Sequence, residues 1–281
     1  MTDKNISTSN NIIIDNDKQL AYAINVMQAK ITAYILDNNI KSLILGISGG
    51  IDSAFAAALL RPVCDNTNTK LIGRSITIET NKAEEIDRAN AIGMLFCHDY
   101  KYLDHTDIYL KYKTLLPNID DSHLSKLRMG NAKARFRMMA LYDLAQLNKG
   151  IVIATDNYTE YLTGFWTIHG DVGDYAPFIN LWKTEVYNCA KYLCKKLPQE
   201  QSQALINCVN AIPTDGLGIS NSDLDQLGAN NYQEVDNLLI QYLSGNIENE
   251  NHSVIERHKC SDYKRKIPIT INRSMLLFKE D

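Results

Sequence analysis

The sequence predicts an α/β fold, a doubly wound parallel sheet with helices on both faces, and three observations carry that prediction. Short apolar runs that read as buried strands alternate with longer segments of helical periodicity. One such run passes directly into a glycine turn and an Ala-rich helix, with Ser48-Gly49-Gly50-Ile51-Asp52-Ser53 at the junction. Finally, 281 residues with 45% hydrophobic and 22% charged side chains provide for one large domain or two small ones with packed cores.

Taken in order, Leu20, Ile24, Met27, Ile31, Tyr34 and Ile35 recur at helical spacing and predict a first amphipathic helix ending near Asn38-Asn39. Leu43 to Ile47 reads as a central strand, and Ser53 to Leu60 as a helix stopped by Arg61-Pro62. Leu71 to Ile78 predicts a second strand, Lys82 to Gly93 a helix, Lys126 to Leu147 a long helix, and Ile151 to Ala154 a third strand. Further helices are expected over Leu181 to Leu197 and Tyr232 to Leu243. Between them Asn210 to Asn231, with Pro213, Gly216, Gly218 and Gly228, reads as a long loop of the kind that often forms a lid. There is no internal repeat or long linker, so residues 12–281 are expected to form a single domain behind a polar, disordered tail at residues 1–11.

Bulk properties narrow the function. A formal net charge of −4 disfavours a nucleic-acid coat and favours a small substrate. Six cysteines, none spaced as a zinc ribbon or dithiol motif, fit free thiols in a reducing cytoplasm. The first residues resemble no signal peptide, and no run approaches the roughly 18 apolar residues of a membrane span.

The junction at Ser48 to Ser53 carries the chemistry. A strand, a glycine turn and a helix start direct backbone N–H groups and the positive helix end toward one point, where anionic oxygens bind. Ser48 and Ser53 add hydroxyl donors, and Gly46, Ile47, Gly49, Gly50 and Ile51 complete the cradle. Where a Walker motif would carry lysine, this loop carries Asp52. A carboxylate beside phosphates needs an intervening cation, so Asp52 is expected to hold Mg²⁺.

With those residues in place the chain resembles the ATP pyrophosphatases, Rossmann-like enzymes that use Ser-Gly-Gly-x-Asp-Ser to hold departing pyrophosphate while AMP is transferred to a substrate. Later segments resemble ammonia-dependent NAD synthetase in particular. These are GNAKARFRMMALY (Gly130 to Tyr142), IATDNYTEYLTGFWTIHGD (Ile153 to Asp171), INLWKTEVYNCAKYL, PTDGL and YKRKIP. The resemblance runs from about Ile12 to Ile271 and implies ATP as co-substrate, Mg²⁺, deamido-NAD, ammonia and a homodimer.

Residue by residue, the resemblance implies a metal site of Asp52 and Glu160, with Lys183 joining them as the catalytic set. It also implies ATP contacts from Arg74, Thr155, Lys183 and Thr214, and deamido-NAD contacts from Arg135, Asp174, Tyr263 and Lys264. Asp174 matches only if one residue is deleted after Asp171, and His258-Lys259 offers a second register for Tyr263-Lys264. Arg137 reads as mostly structural, and Phe165, Trp166 and Tyr161 as core or dimer contacts. One departure stands out: Ile168 occupies a place where many relatives have a substrate-binding lysine, which leaves room for nicotinate mononucleotide as the acid. A tRNA-modifying ATP pyrophosphatase and a non-catalytic nucleotide sensor are the rival expectations. The first would carry a basic appended domain or paired cysteines, and the second has no use for Asp52, Glu160, Lys183 and Thr214 together.

Overall fold

The computed structural model describes residues 13–79, 81–214, 222–246 and 250–277. The predicted disordered tail lies outside these residues, as does the stretch 215–221 of the predicted loop with Gly216 and Gly218. In chain order the first elements are α1 (Asp17–Asp37), β1 (Ser42–Gly46), α2 (Ile51–Thr67), β2 (Lys70–Thr77), α3 (Ala83–Phe96), β3 (Asp99–Asp104) and α4 (Thr106–Lys113). Then follow α5 (His123–Leu147), β4 (Gly150–Val152), α6 (Tyr158–Thr163), α7 (Lys183–Cys194), α8 (Gln199–Val209), α9 (Asp223–Leu227), α10 (Tyr232–Leu243) and α11 (Ser253–Cys260).

The four strands form one parallel sheet in the order β3-β2-β1-β4. Successive side chains of β1 point to opposite faces, which divides the core in two. Leu43 and Leu45 pack with α1, α2, α3, α7 and α8, while Ile44 packs with Tyr109 of α4 and with Met138 and Leu141 of α5. A sheet buried on both faces explains why its central strands read as unbroken apolar runs. Because the chain crosses from β1 outward to β2 and β3, then returns to β4 on the other side of β1, the order reverses at β1. That reversal opens a crevice at the carboxyl end of β1, where the glycine turn lies. A third apolar cluster joins Leu162 and Trp182 to Leu227, Tyr232, Val235, Leu239, Val254 and Ile255, so α6 and α9 to α11 share a small core of their own.

Three differences from the sequence prediction have physical causes. Helix α2 does not stop at Pro62 but runs on to Thr67. Proline inside a helix costs about 3 kcal/mol, yet Val63 and Cys64 beyond it are fully buried in the main core and offset that loss. Strand β3 was not expected at all. It is an edge strand of sequence DYKYLD whose residues are half-buried or exposed, so it lacks the apolar signature of its neighbours. The predicted long loop contains the short helix α9, capped by the Ser222 side chain at one end and by left-handed Gly228 at the other.

Candidate active site

The glycine turn is built as an anion cradle. Gly49 adopts a φ of +82°, and a Cβ there would meet the Glu85 carbonyl oxygen of α3 at 2.2 Å, so no other residue fits the turn. Gly50 is the N-cap of α2 and supplies no side-chain cap, which leaves the first-turn amides of α2 without a capping side chain. Around them the Ser48 and Ser53 hydroxyls lie 3.0 Å apart, the Ser48 amide donates to Ser53 Oγ, and the Gly50 amide donates to Ser48 Oγ at 3.2 Å. Donors and a positive helix end thus face one point.

Two carboxylates and one ammonium stand beside this turn. Lys183 Nζ, the first residue of α7, lies 2.5 Å from Asp52 Oδ2 and 2.8 Å from Glu160 Oε1, and its side chain is only 3% exposed. Glu160 is held by a capping box: Asn157 Oδ1 accepts from the Glu160 amide at 3.1 Å, and Glu160 Oε2 accepts from the Asn157 amide at 3.3 Å. Asn157 also donates from Nδ2 to Asp52 Oδ1 at 2.9 Å. One buried asparagine therefore caps α6 and orients both carboxylates.

The electrostatics follow from this crowding. Burial pushes the Glu160 carboxyl up to about 7, against the pull of Lys183 and with the help of Asp52. Burial alone would lower the Lys183 amine, but Asp52 and Glu160 hold it well above its usual value. Asp156 is raised well above the carboxylate range by desolvation and by Asp171, Glu160 and Asp52. Asp52 and Glu160, two hard oxygen donors converging on the Lys183 ammonium, are of the kind that would hold Mg²⁺. Among the described residues no group of three or more His, Cys, Asp or Glu stands together as a metal site.

A cavity of about 320 Å³ extends from this cluster. Gly46, Ile47, Ser48, Gly50, Ile51, Asp52, Ser53, Arg74, Thr155, Glu160, Lys183 and Thr214 line it, so the structure brings these expected residues together, while Gly49 shapes the turn and is not itself among the lining residues. Their engagement differs. Arg74 forms a bidentate pair with Asp99 at 3.2 and 3.0 Å, and Thr214 Oγ1 donates to Glu85 Oε1 at 2.8 Å. Arg88, Arg137, Asp156, Trp166 and Asp171 also line the cavity. Arg137 donates to the Ile76 carbonyl at 2.9 Å and to Asn81 Oδ1 at 3.0 Å, and the buried Trp166 Nε1–H has no hydrogen-bond partner among the described residues.

Comparison with known proteins gives this architecture a family. The family model described as NAD synthase matches residues 23–268. The chain belongs to the NAD synthase family. It is 31% identical over 273 residues to the NH3-dependent NAD+ synthetase of Thermococcus sibiricus, covering 91% of this chain and 97% of that one. Among solved structures it resembles an NMN synthetase from Francisella tularensis, with TM-score 0.74, 27% identity and 90% and 98% of the two chains covered. An NH3-dependent NAD synthetase from Campylobacter jejuni shares the fold at TM-score 0.66 and 22% identity, over 90% and 99% of the chains. As a member of the NAD synthase family the protein is an enzyme, a ligase forming C–N bonds.

The residues expected to face the acid substrate are spread more widely. Lys264 lines the cavity, donating to the carbonyls of Gly164 at 2.7 Å and Trp166 at 2.5 Å. Left-handed Gly164 leaves room for the segment that carries Lys264, since a Cβ there would meet Ser261 Cβ at 2.2 Å and Lys264 Cδ at 3.3 Å. Arg135, Asp174 and Tyr263 are not among the cavity-lining residues. Arg135 Nε donates to the Ile168 carbonyl at 3.2 Å on the exposed side of α5, and Tyr263 is 54% exposed. Asp174 accepts from Tyr142 Oη at 3.2 Å and from the Val152 amide at 2.9 Å. The alternative register turns away: His258 is buried against the Leu162 carbonyl, and Lys259 pairs with Glu250.

Proposed function

We propose that the enzyme amidates deamido-NAD with ammonia at the expense of ATP, giving NAD, AMP and pyrophosphate. The observation that carries this reading is the convergence of Asp52, Glu160 and Lys183 beside the open amino end of α2, in a cavity that continues to Lys264. An oxygen of the nicotinate carboxylate attacks the α-phosphorus, the bond from that phosphorus to the bridging oxygen breaks, and pyrophosphate departs into the glycine turn. The nitrogen of ammonia then attacks the activated carbonyl, AMP leaves, and one proton is released. Asp52 and Glu160 would hold Mg²⁺, which when bound neutralises charge on the phosphate oxygens.

The chain's own groups bind and position. Amides of the turn and of α2 stabilise the departing charge, Lys183 adds a buried cation beside it, and Thr155, Thr214 and Arg74 border the nucleotide. No protein nucleophile is required, because holding the reactants in line supplies the advantage.

A second reading has a specific observation behind it. Ile168 cannot supply the charge of the lysine that many relatives carry, and one similar structure is that of an NMN synthetase, so nicotinate mononucleotide is the alternative acid. We also read residues 12–281 as one functional unit acting as a homodimer. Leu124, Met139 and Tyr142 of α5 are exposed on the helix face that carries Arg135, and a second copy docked there would enclose Arg135. Six free cysteines support a cytoplasmic location, and no helix among the described residues is long and apolar enough to cross a membrane.

The deciding experiment supplies the pure protein with ATP, Mg²⁺ and ammonium, together with either deamido-NAD or nicotinate mononucleotide. Pyrophosphate, AMP and the amide product are followed. Release with deamido-NAD is expected, release with the mononucleotide alone transfers the reading to that acid, and no pyrophosphate with either acid overturns it.

A further inference from the structure

Pyrophosphate leaves with several negative charges, and the cations around the glycine turn are unevenly committed. Lys183 is already matched by two carboxylates at 2.5 and 2.8 Å, and Arg74 by the carboxylate of Asp99. Arg88 of α3 is different. Its Nε donates to the Gly49 carbonyl at 3.0 Å, and no carboxylate pairs with it among the described residues. Its charge is thus held at the phosphate turn by a neutral oxygen, with both terminal nitrogens of the guanidinium unused among the described residues. The side chain lines the cavity from α3, whereas Lys183 approaches from α7.

The packing fixes this placement. The Glu85 carbonyl of α3 sits where a Cβ on Gly49 would lie, so α3 is pressed against the turn one helical step before Arg88. Nε anchored on Gly49 orients the planar guanidinium, and the free edge offers two parallel donors to a phosphate.

We propose that Arg88 is a binding residue for the β- and γ-phosphates of ATP and for the pyrophosphate formed from them, clamping that group from the side opposite Lys183. The assignment rests on the ATP-cleaving reaction proposed above. As the bond between the α-phosphorus and the bridging oxygen breaks, charge accumulates on the departing oxygen within reach of both cations. Arg88 then holds the leaving group until it is released.

The test compares wild type with Arg88→Gln and Arg88→Lys. Affinities for ATP, inorganic pyrophosphate with Mg²⁺, and AMP are measured by calorimetry, alongside turnover with the acid substrate. Arg88→Gln is expected to weaken ATP and pyrophosphate by on the order of ten- to a hundredfold, the scale of a lost charge-assisted contact, and to leave AMP unchanged. Arg88→Lys should recover part of that loss. Unchanged ATP and pyrophosphate affinity in Arg88→Gln overturns the assignment. So does an equal loss for AMP, because that would mean Arg88 only shapes the turn. If wild type itself releases no pyrophosphate with any nicotinate nucleotide, the reaction fails instead, and pyrophosphate affinity still reports on Arg88 separately.

Discussion

Asn157 joins the helix cap of α6 to both carboxylates of the site. Its Oδ1 holds the Glu160 amide and its Nδ2 holds Asp52, in a side chain with no solvent exposure. Removing the cap in Asn157→Ala should cost about 1–2 kcal/mol of stability, measured as a shift in urea midpoint. Asn157→Asp separates the two roles. Aspartate caps a helix as well as asparagine does, but it cannot donate to Asp52 and sets a third carboxylate beside the pair. Its turnover should fall at least as far as that of the alanine variant; an aspartate variant with wild-type kcat would show that the donation to Asp52 is dispensable. At this scale the sequence was partly legible. Asp52 announced itself because a carboxylate is out of place beside phosphate, and Glu160 and Lys183 followed from resemblance. Asn157 carried a signal that went unread, the Asn-x-x-Glu spacing of a capping box. Arg88 carried none, because one arginine in a charged amphipathic helix looks like any solvated face.

Between elements, Asp236 ties α10 to Lys183. Its carboxylate accepts from Thr159 Oγ1 of α6 at 2.5 Å and from the amide and hydroxyl of Thr184 at 2.9 and 2.7 Å, while Thr159 Oγ1 in turn accepts from the Lys183 amide at 2.9 Å. The first turn of α7 is thereby fixed from two other helices, and burial raises the Asp236 carboxyl against these hydrogen bonds. Asp236→Ala leaves the Thr184 amide without its acceptor and should cost about 2–3 kcal/mol in urea unfolding, with kcat falling as Lys183 loosens. Asp236→Asn keeps an acceptor of the same shape and should lose less on both counts. Equal losses in the two variants would sink this account. The elements themselves were read well where burial is two-sided, as in β1 and β2, or follows one clear helical stripe, as in α10. Reading failed where tertiary context decides. The half-exposed β3 exists because β2 needs a neighbour, and α2 continues through Pro62 because the core beyond it is apolar.

For the whole molecule the question is what completes the acid-substrate side. Lys264 reaches the cavity from within the chain, but Arg135 stands outside it on a face of α5 where Met139 is 68% and Leu124 65% exposed. Large apolar side chains around a cation on an exposed helix face are better explained by a partner surface than by solvation. In the homodimer proposed above, a two-fold related copy would present the same face in return, so one contact would bury both helices and enclose each Arg135. Met139→Asp places a charge in the middle of that face without touching the core or the nucleotide residues. It should convert a dimer into a monomer in sedimentation velocity, raise KM for the acid substrate by an order of magnitude or more, and leave KM for ATP within about twofold, as expected when contacts to one substrate alone are lost. A variant that stays dimeric, or a monomer with unaltered KM for the acid, would place Arg135 outside the reaction and leave Lys264 as the cation that recognises the acid.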